Sequence, residues 1–202
     1  DDPDLDCHRK VRLEAFEGVD HSKHIVVTRP DSAEERVYKM LVYLHKNFPS
    51  EGWGAYVDGT KLKWADIIIS GASHGASTAG LVGKVRPAAR VVMLSGPWDN
   101  DGGKAVPWMS LEGMTPTSKV YGFAHTGDDQ YPIDVANWKA MGLDALGPVT
   151  KVDNATPPYG GSHQLSSSGS SPKPHGSTSA GVNSPMVAGE YRYAPVWKYL
   201  YG

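Results

Sequence analysis

Apolar residues fall into short clusters separated by turn-forming residues, and this pattern predicts strands that alternate with helices. A β-branched run at 65–70 and an apolar run at 90–95 predict two buried strands, and 119–124 and 149–153 predict a third strand and a short fourth one. Small residues at 71–83 suit a helix packed closely on a sheet, and 133–141 predicts another helix that ends at Gly142. The alternation predicts an α/β domain with a mostly parallel sheet flanked by helices.

The amino-terminal part of the chain is more polar. Residues 1–30 predict an irregular segment in which 11–16 alternates apolar and charged side chains like a short, half-buried strand. A helix follows, with Asp31 or Ser32 as its N-cap and apolar side chains at helical spacing up to Pro49.

The carboxyl-terminal part is rich in glycine, serine and proline. Residues 154–185 predict one long loop, because few of them favour a helix or a strand. Long loops in compact domains tend to be functional. A short closing helix is predicted at 194–200, with Pro195 in its first turn.

Composition and charge exclude several classes of function. The 20 Lys and Arg against 22 Asp and Glu give a net charge of −2, which argues against a basic nucleic-acid surface or a membrane anchor. No apolar run approaches the roughly 20 residues that span a bilayer. With 202 residues, 40% of them hydrophobic, we expect one packed domain over 1–202.

Cysteine and histidine usage argues against a metal site. Cys7 is the single cysteine, which excludes an internal disulfide framework and a cysteine zinc cage. No histidine pair has the spacing of a zinc-protease helix, so we expect neither a metal nor a cofactor. The chain begins at Asp1 without a signal peptide, which suggests a processed or trimmed protein. Cys7 is then either a free thiol or a cysteine whose partner lay in a removed segment, and the sequence leaves both interpretations open.

The segment Gly71-Ala72-Ser73-His74-Gly75 has the form G-x-S-x-G and lies between a predicted buried strand and a predicted helix. A sharp strand-to-helix turn needs small neighbours and exposes the serine hydroxyl beside a helix N-terminus. The context therefore predicts that Ser73 is a nucleophile and that the backbone N–H of His74 is an oxyanion-hole donor.

A nucleophilic serine needs a histidine base and an orienting acid, which in hydrolases of this architecture follow it in the order acid, then histidine. Asp128 and Asp129 follow the third predicted strand, and Asp99 follows the second. His163 and His175 both lie in the long loop. The order of residues leaves these alternatives open.

With these positions placed, the chain from about Ser32 onward resembles the α/β-hydrolase superfamily. Local patterns resemble its bacterial cutinase and polyester-hydrolase group, which includes poly(ethylene terephthalate) hydrolases. The matching segments are Gly96-Pro97-Trp98-Asp99, Asp128 four residues before Pro132, and Ser162-His163. The resemblance implies a triad of Ser73, Asp128 and His163, with Trp98 beside the substrate cleft.

Two features depart from that group. His74 stands where the polyester hydrolases typically have methionine. In addition, residues 1–72, mostly polar, contain no visible loop for a second oxyanion donor. The chain is therefore either a reduced hydrolase or one that has lost strands on the amino side, and the second donor is unassigned.

The expected function is hydrolysis of carboxylic esters through an acyl-enzyme. Trp98 and Tyr131 are the predicted substrate contacts, whereas Trp108 is predicted to pack the loop onto the sheet. No segment is long enough to form a lid domain, so an open cleft that accepts bulky or polymeric esters is expected. We expect a monomer with an ester substrate or polymer surface as its partner, and the resemblance suggests secretion. Two alternatives are a non-catalytic binding module and a hydrolase of amides or thioesters.

Overall fold

The computed structural model describes residues 3–202 and shows an α/β fold around a five-stranded parallel sheet. The strands are β1 (Ile68–Ala72), β2 (Arg90–Leu94), β3 (Val120–His125), β4 (Thr150–Lys151) and β5 (Gln164–Ser167). Their order across the sheet is β1-β2-β3-β5-β4, and every pair is parallel. Loops that follow the strands therefore meet at one edge of the sheet, the carboxyl edge.

Six α-helices in the described part of the chain connect or cover the strands. They are α1 (Cys7–Glu17), α2 (Ala33–Asn47), α3 (His74–Val85), α4 (Tyr131–Ala140), α5 (Pro174–Ser177) and α6 (Ala194–Tyr201). The loops also contain short antiparallel hairpins whose strands have two residues each. These hairpins pair Val57–Asp58 with Lys61–Leu62, Asn100–Asp101 with Lys104–Ala105, and Met186–Val187 with Glu190–Tyr191. No helix within residues 3–202 has the length and apolar character needed to cross a membrane.

The inner strands β2, β3 and β5 are buried on both faces of the sheet. The prediction of a buried strand at 65–70 is wrong for one face of β1, because β1 is an edge strand with Ile68, Ser70 and Ala72 exposed. On β2, Val91 and Met93 face a core formed with α1, α3 and α4, while Val92 and Leu94 face a second core. Tyr193 and helix α6 contribute to that second core. Burial on both faces explains why the runs at 90–95 and 119–124 are mostly apolar.

Several element predictions are confirmed. Helix α2 has Ser32 as its N-cap, and the Ser32 hydroxyl accepts a hydrogen bond from the backbone N–H of Glu35. Helix α4 is followed by Gly142 in the left-handed region, at φ +82°. The closing helix α6 begins one residue before Pro195.

The prediction of an irregular segment over 1–30, with a strand at 11–16, is wrong for the part that forms α1. Leu13 and Phe16 are buried three positions apart on one helical face. The buried Glu14 carboxylate also accepts backbone N–H groups from residues 21, 22 and 27, which fixes the chain after the helix. Six alternating residues are too few to distinguish the two-residue period of a strand from the 3.6-residue period of a helix.

The prediction of one loop over 154–185 is also wrong. This region contains strand β5, fully buried between β3 and β4, and the short helix α5. Strand β5 is hard to recognise in the sequence because most of its residues are polar. Their side chains form hydrogen bonds inside the fold. Gln164 donates to the carbonyl of Gly147, and the hydroxyl of Ser167 contacts Asp153 and Tyr193.

Candidate active site

Loops at the carboxyl edge of the sheet carry a serine, a carboxylate and a histidine, and the carboxylate and the histidine are in contact. Ser73 follows β1, Asp128 follows β3, and His175 lies beyond β5 on helix α5. Strand β2 lies between β1 and β3, and neighbouring strands are about 4.8 Å apart. Ser73 and Asp128 therefore follow strands that lie on either side of β2 at the same edge of the sheet.

Ser73 lies in a strained turn between β1 and α3. Its φ of +56° and ψ of −120° are unfavourable for a residue with a side chain, and such strain costs about 1–3 kcal/mol. A Cβ on Gly71 would lie 2.2 Å from the backbone of Gly75, so this tight turn requires glycine at 71. The Ser73 N–H donates to the carbonyl of Leu94 at 2.9 Å, which anchors the turn to β2.

The turn leads directly into the N-terminus of α3, which favours negative charge. First-turn N–H groups such as that of His74 have no acceptor within the helix, and the Ser73 side chain does not cap them. These donors and the helix dipole stabilise an anion close to Ser73. The geometry is consistent with His74 as an oxyanion donor.

Asp128 is paired with His175. The carboxylate Oδ2 lies 2.6 Å from His175 Nδ1, and Oδ1 accepts the backbone N–H of Gln130 at 3.1 Å. The Asp128 side chain is buried, whereas 39% of the His175 side chain is exposed. The Ser95 hydroxyl donates to the carbonyl of His175 at 2.6 Å, which holds this residue above the end of β2.

The structure does not place His163 in this site, which corrects the sequence-based assignment. His163 precedes β5 and therefore lies at the opposite, amino edge of the sheet. Its Nδ1 donates to the carbonyl of Val120 at 2.9 Å, and its ring stacks on Tyr121 at a centroid distance of 4.0 Å. Burial lowers the pKa of His163, the Val120 carbonyl opposes that shift, and Arg90 adds to it. The unrecognised strand β5 caused the error, because a residue before a strand and one after it lie at opposite edges.

The other candidate acids do not contact His175. Asp129 is exposed. Asp99 is buried and accepts hydrogen bonds from the Arg12 guanidinium at 2.5 and 2.8 Å and from the Trp108 ring at 3.1 Å. Burial alone would raise the pKa of Asp99, but the Arg12 guanidinium keeps it below its ordinary value.

Arg12 connects the amino-terminal helix to the serine turn, a connection that the sequence analysis missed. Its guanidinium also donates to the His74 carbonyl at 3.1 Å and to the Thr78 hydroxyl at 2.9 Å. The sequence gives no signal for it, because Arg12 and Asp99 are 87 positions apart. Helix α1 is thus part of the support for the turn that carries Ser73.

Replacing Arg12 by methionine is expected to reduce the free energy of unfolding by about 3–5 kcal/mol, since it leaves the buried Asp99 carboxylate without its guanidinium partner. Urea denaturation measures the loss. Arg36→Met is the control because Arg36 is exposed on α2. Equal stability of the two variants would contradict the role given to the Arg12–Asp99 pair.

The aromatic residues near the site have different environments. Trp98 follows the cis Gly96–Pro97 bond and is 45% exposed, and its backbone N–H donates to the Ser77 hydroxyl. Tyr131 begins α4 beside Asp128 and is partly buried against the core. Trp108 is fully buried, as predicted. Of these three aromatic side chains, Trp98 is therefore the one most exposed to a substrate at the carboxyl edge of the sheet.

Within residues 3–202, no group of three or more His, Cys, Asp or Glu side chains is arranged to hold a metal ion. Comparison with protein-family models, with curated proteins and with solved structures found no match in any of the three. The chemistry of the site is therefore argued from its own residues.

Proposed function

We propose that the protein is a serine hydrolase of carboxylic esters, of the α/β-hydrolase type, with Ser73 as nucleophile, His175 as base and Asp128 as orienting acid. The observation that carries the proposal is the 2.6 Å Asp128–His175 hydrogen bond at the same sheet edge as the strained Ser73. A buried carboxylate on Nδ1 fixes the imidazole tautomer and leaves Nε2 free to accept a proton.

In the first half-reaction, His175 Nε2 removes the proton from Ser73 Oγ as that oxygen attacks the ester carbonyl carbon. The negative charge that develops on the carbonyl oxygen is stabilised by the N–H of His74 and the dipole of α3. Collapse of the tetrahedral intermediate breaks the bond to the alcohol, which leaves with the proton from His175. The acyl group remains on Ser73.

In the second half-reaction, His175 removes a proton from water, which attacks the acyl-enzyme carbonyl. The carboxylic acid is released, and Ser73 regains its proton. Asp128 stays ionised and stabilises the imidazolium in both halves. No cofactor enters this sequence.

The proposed substrates are bulky or polymeric esters. The resemblance to polyester hydrolases and the exposure of side chains at the carboxyl edge of the sheet support this proposal. Trp98 is 45% exposed and His175 39% exposed, so a large acyl or aromatic group has access from solvent. An aromatic face of this kind stacks on planar groups such as those of aromatic polyesters. Secretion, which polymer degradation requires, is part of the same proposal.

Assay of the full chain with a short-chain p-nitrophenyl ester tests the function. We expect turnover with a burst of p-nitrophenol equal to the concentration of sites when deacylation is slow. The matching p-nitroanilide and thioester distinguish an esterase from a hydrolase of other acyl bonds. Lack of turnover of all three would favour a binding module and contradict the proposal.

A further inference from the structure

One face of helix α4 carries buried oxygen atoms for which residues 3–202 provide no hydrogen-bond donor. They are both carboxylate oxygens of Asp134, the Oδ1 of Asn137 and the Oε1 of Gln130. Asp134 and Asn137 are fully buried. Residues three or four positions apart share a helix face, so these groups are neighbours along α4. Every one of these atoms is an acceptor unless a proton is added.

The hydrogen bonds of Nδ2 fix the orientation of the Asn137 side-chain amide. Its Nδ2 donates to the carbonyl of Pro97 at 2.7 Å and to that of Asp99 at 3.1 Å. These bonds clamp the segment that carries Trp98. Since both amide hydrogens are used there, Oδ1 must face away from the segment and needs a donor of its own.

We propose that Asp134 is a positioning residue that is kept as the neutral carboxylic acid, and that its proton is donated to Asn137 Oδ1. The neutral acid holds the Asn137 amide in the orientation that clamps the Trp98 segment. Loss of the proton leaves a carboxylate facing Oδ1, which favours rotation of the amide so that Nδ2 faces Asp134. Both bonds to the Pro97 and Asp99 carbonyls are then broken, and the segment is loosened around Trp98, although the Ser77 hydroxyl and the Arg12–Asp99 pair still hold it.

The surroundings of Asp134 favour the neutral form. Burial raises the pKa of Asp134 to about 8, and the nearby Asp128 carboxylate adds to the shift. The charged or titratable groups on the elements that pack against α4 have other partners or are exposed to solvent. Within the described part of the chain, none of them forms an ion pair with Asp134. Asp99 is paired with Arg12, His125 bonds the Gly169 carbonyl, and Lys104 and Asp144 are exposed.

The inference deepens the proposed function, since it concerns the loop at the same site, but its test does not require turnover. Difference infrared spectra of the full chain at pH 6.5 and pH 10 should show the carbonyl band of a protonated carboxylic acid only at the lower pH. Trp98 fluorescence, isolated by comparison with Trp98→Phe, should change with a midpoint near pH 8. Asp134→Asn supplies a permanent donor and should lose both signals, whereas Asp144→Asn, at an exposed site, should keep them.

Asn137→Leu removes the clamp and should fix the Trp98 signal in its high-pH form at every pH. The proposal is overturned if the carboxylic-acid band is missing, or if Asp134→Asn keeps the transition. It is equally overturned if the transition requires Na⁺, K⁺, Mg²⁺ or Ca²⁺, since the oxygens would then bind a cation. If ester hydrolysis fails while both spectroscopic signals appear, the proposed function is wrong and the Asp134 inference stands.

Discussion

Replacing His175 by asparagine is expected to lower kcat/KM for ester hydrolysis by roughly 10⁴- to 10⁶-fold. Asparagine keeps a donor for the Asp128 carboxylate but has no atom that accepts the proton of Ser73. Because the loss lies in the chemical step, it should appear in kcat, with little change in KM. Initial rates with a p-nitrophenyl ester, alongside circular dichroism as a check of folding, measure it.

The matched control is His163→Asn, since both histidines lie in the region where the sequence places the catalytic base. Asparagine at 163 can still donate to the Val120 carbonyl, so activity should change only a few-fold. Stability should fall by about 1–3 kcal/mol, because the stacking on Tyr121 is lost. Loss of activity in the His163 variant with retention in the His175 variant would reverse the assignment.

The pH dependence of stability separates the two roles further. Burial lowers the pKa of His163 from its ordinary 6.5, so the unfolded chain takes up a proton at a higher pH than the folded one. Protonation therefore favours unfolding, and the stabilisation by neutral His163 is lost as the pH falls below about 6.5. The His163→Asn variant should lack this decline, as urea titrations between pH 5 and 8 would show.

Replacing Ser73 by alanine should have the largest effect on catalysis, a fall in kcat of roughly 10⁶-fold. The hydroxyl that forms the acyl-enzyme is absent, so the burst of p-nitrophenol should disappear completely. Ser70→Ala, at an exposed position of the same strand, is the control and should keep the burst. Persistence of the burst in the Ser73 variant would mean that another group is acylated.

The hydrophobic pattern was sufficient to predict the strands and helices on either side of Ser73. A β-branched run, a small-residue turn and a small-residue helix are local signals, and the sheet confirms their order. The G-x-S-x-G segment also predicted the strained turn, because only small neighbours fit it. These features depend on residues that are close in sequence.

The choice between His163 and His175 as the partner of Asp128 depends on a strand that has no recognisable pattern in the local sequence. Strand β5 has the sequence Gln-Leu-Ser-Ser and is buried because distant groups satisfy its polar atoms. Without β5, the sequence pattern places both His163 and His175 after the last predicted strand, in one long loop. The Arg12–Asp99 pair and the Asn137 clamp were equally hidden, since each joins parts of the chain far apart in sequence.

Labelling with a fluorophosphonate probe, followed by peptide mass spectrometry, tests the central claim most directly, because only an activated serine reacts rapidly. We predict one adduct per chain, on Ser73, formed slowly or not at all in His175→Asn and at close to the normal rate in His163→Asn. An unlabelled protein, or an adduct on a different serine, would contradict the assignment of Ser73, His175 and Asp128 as a catalytic triad.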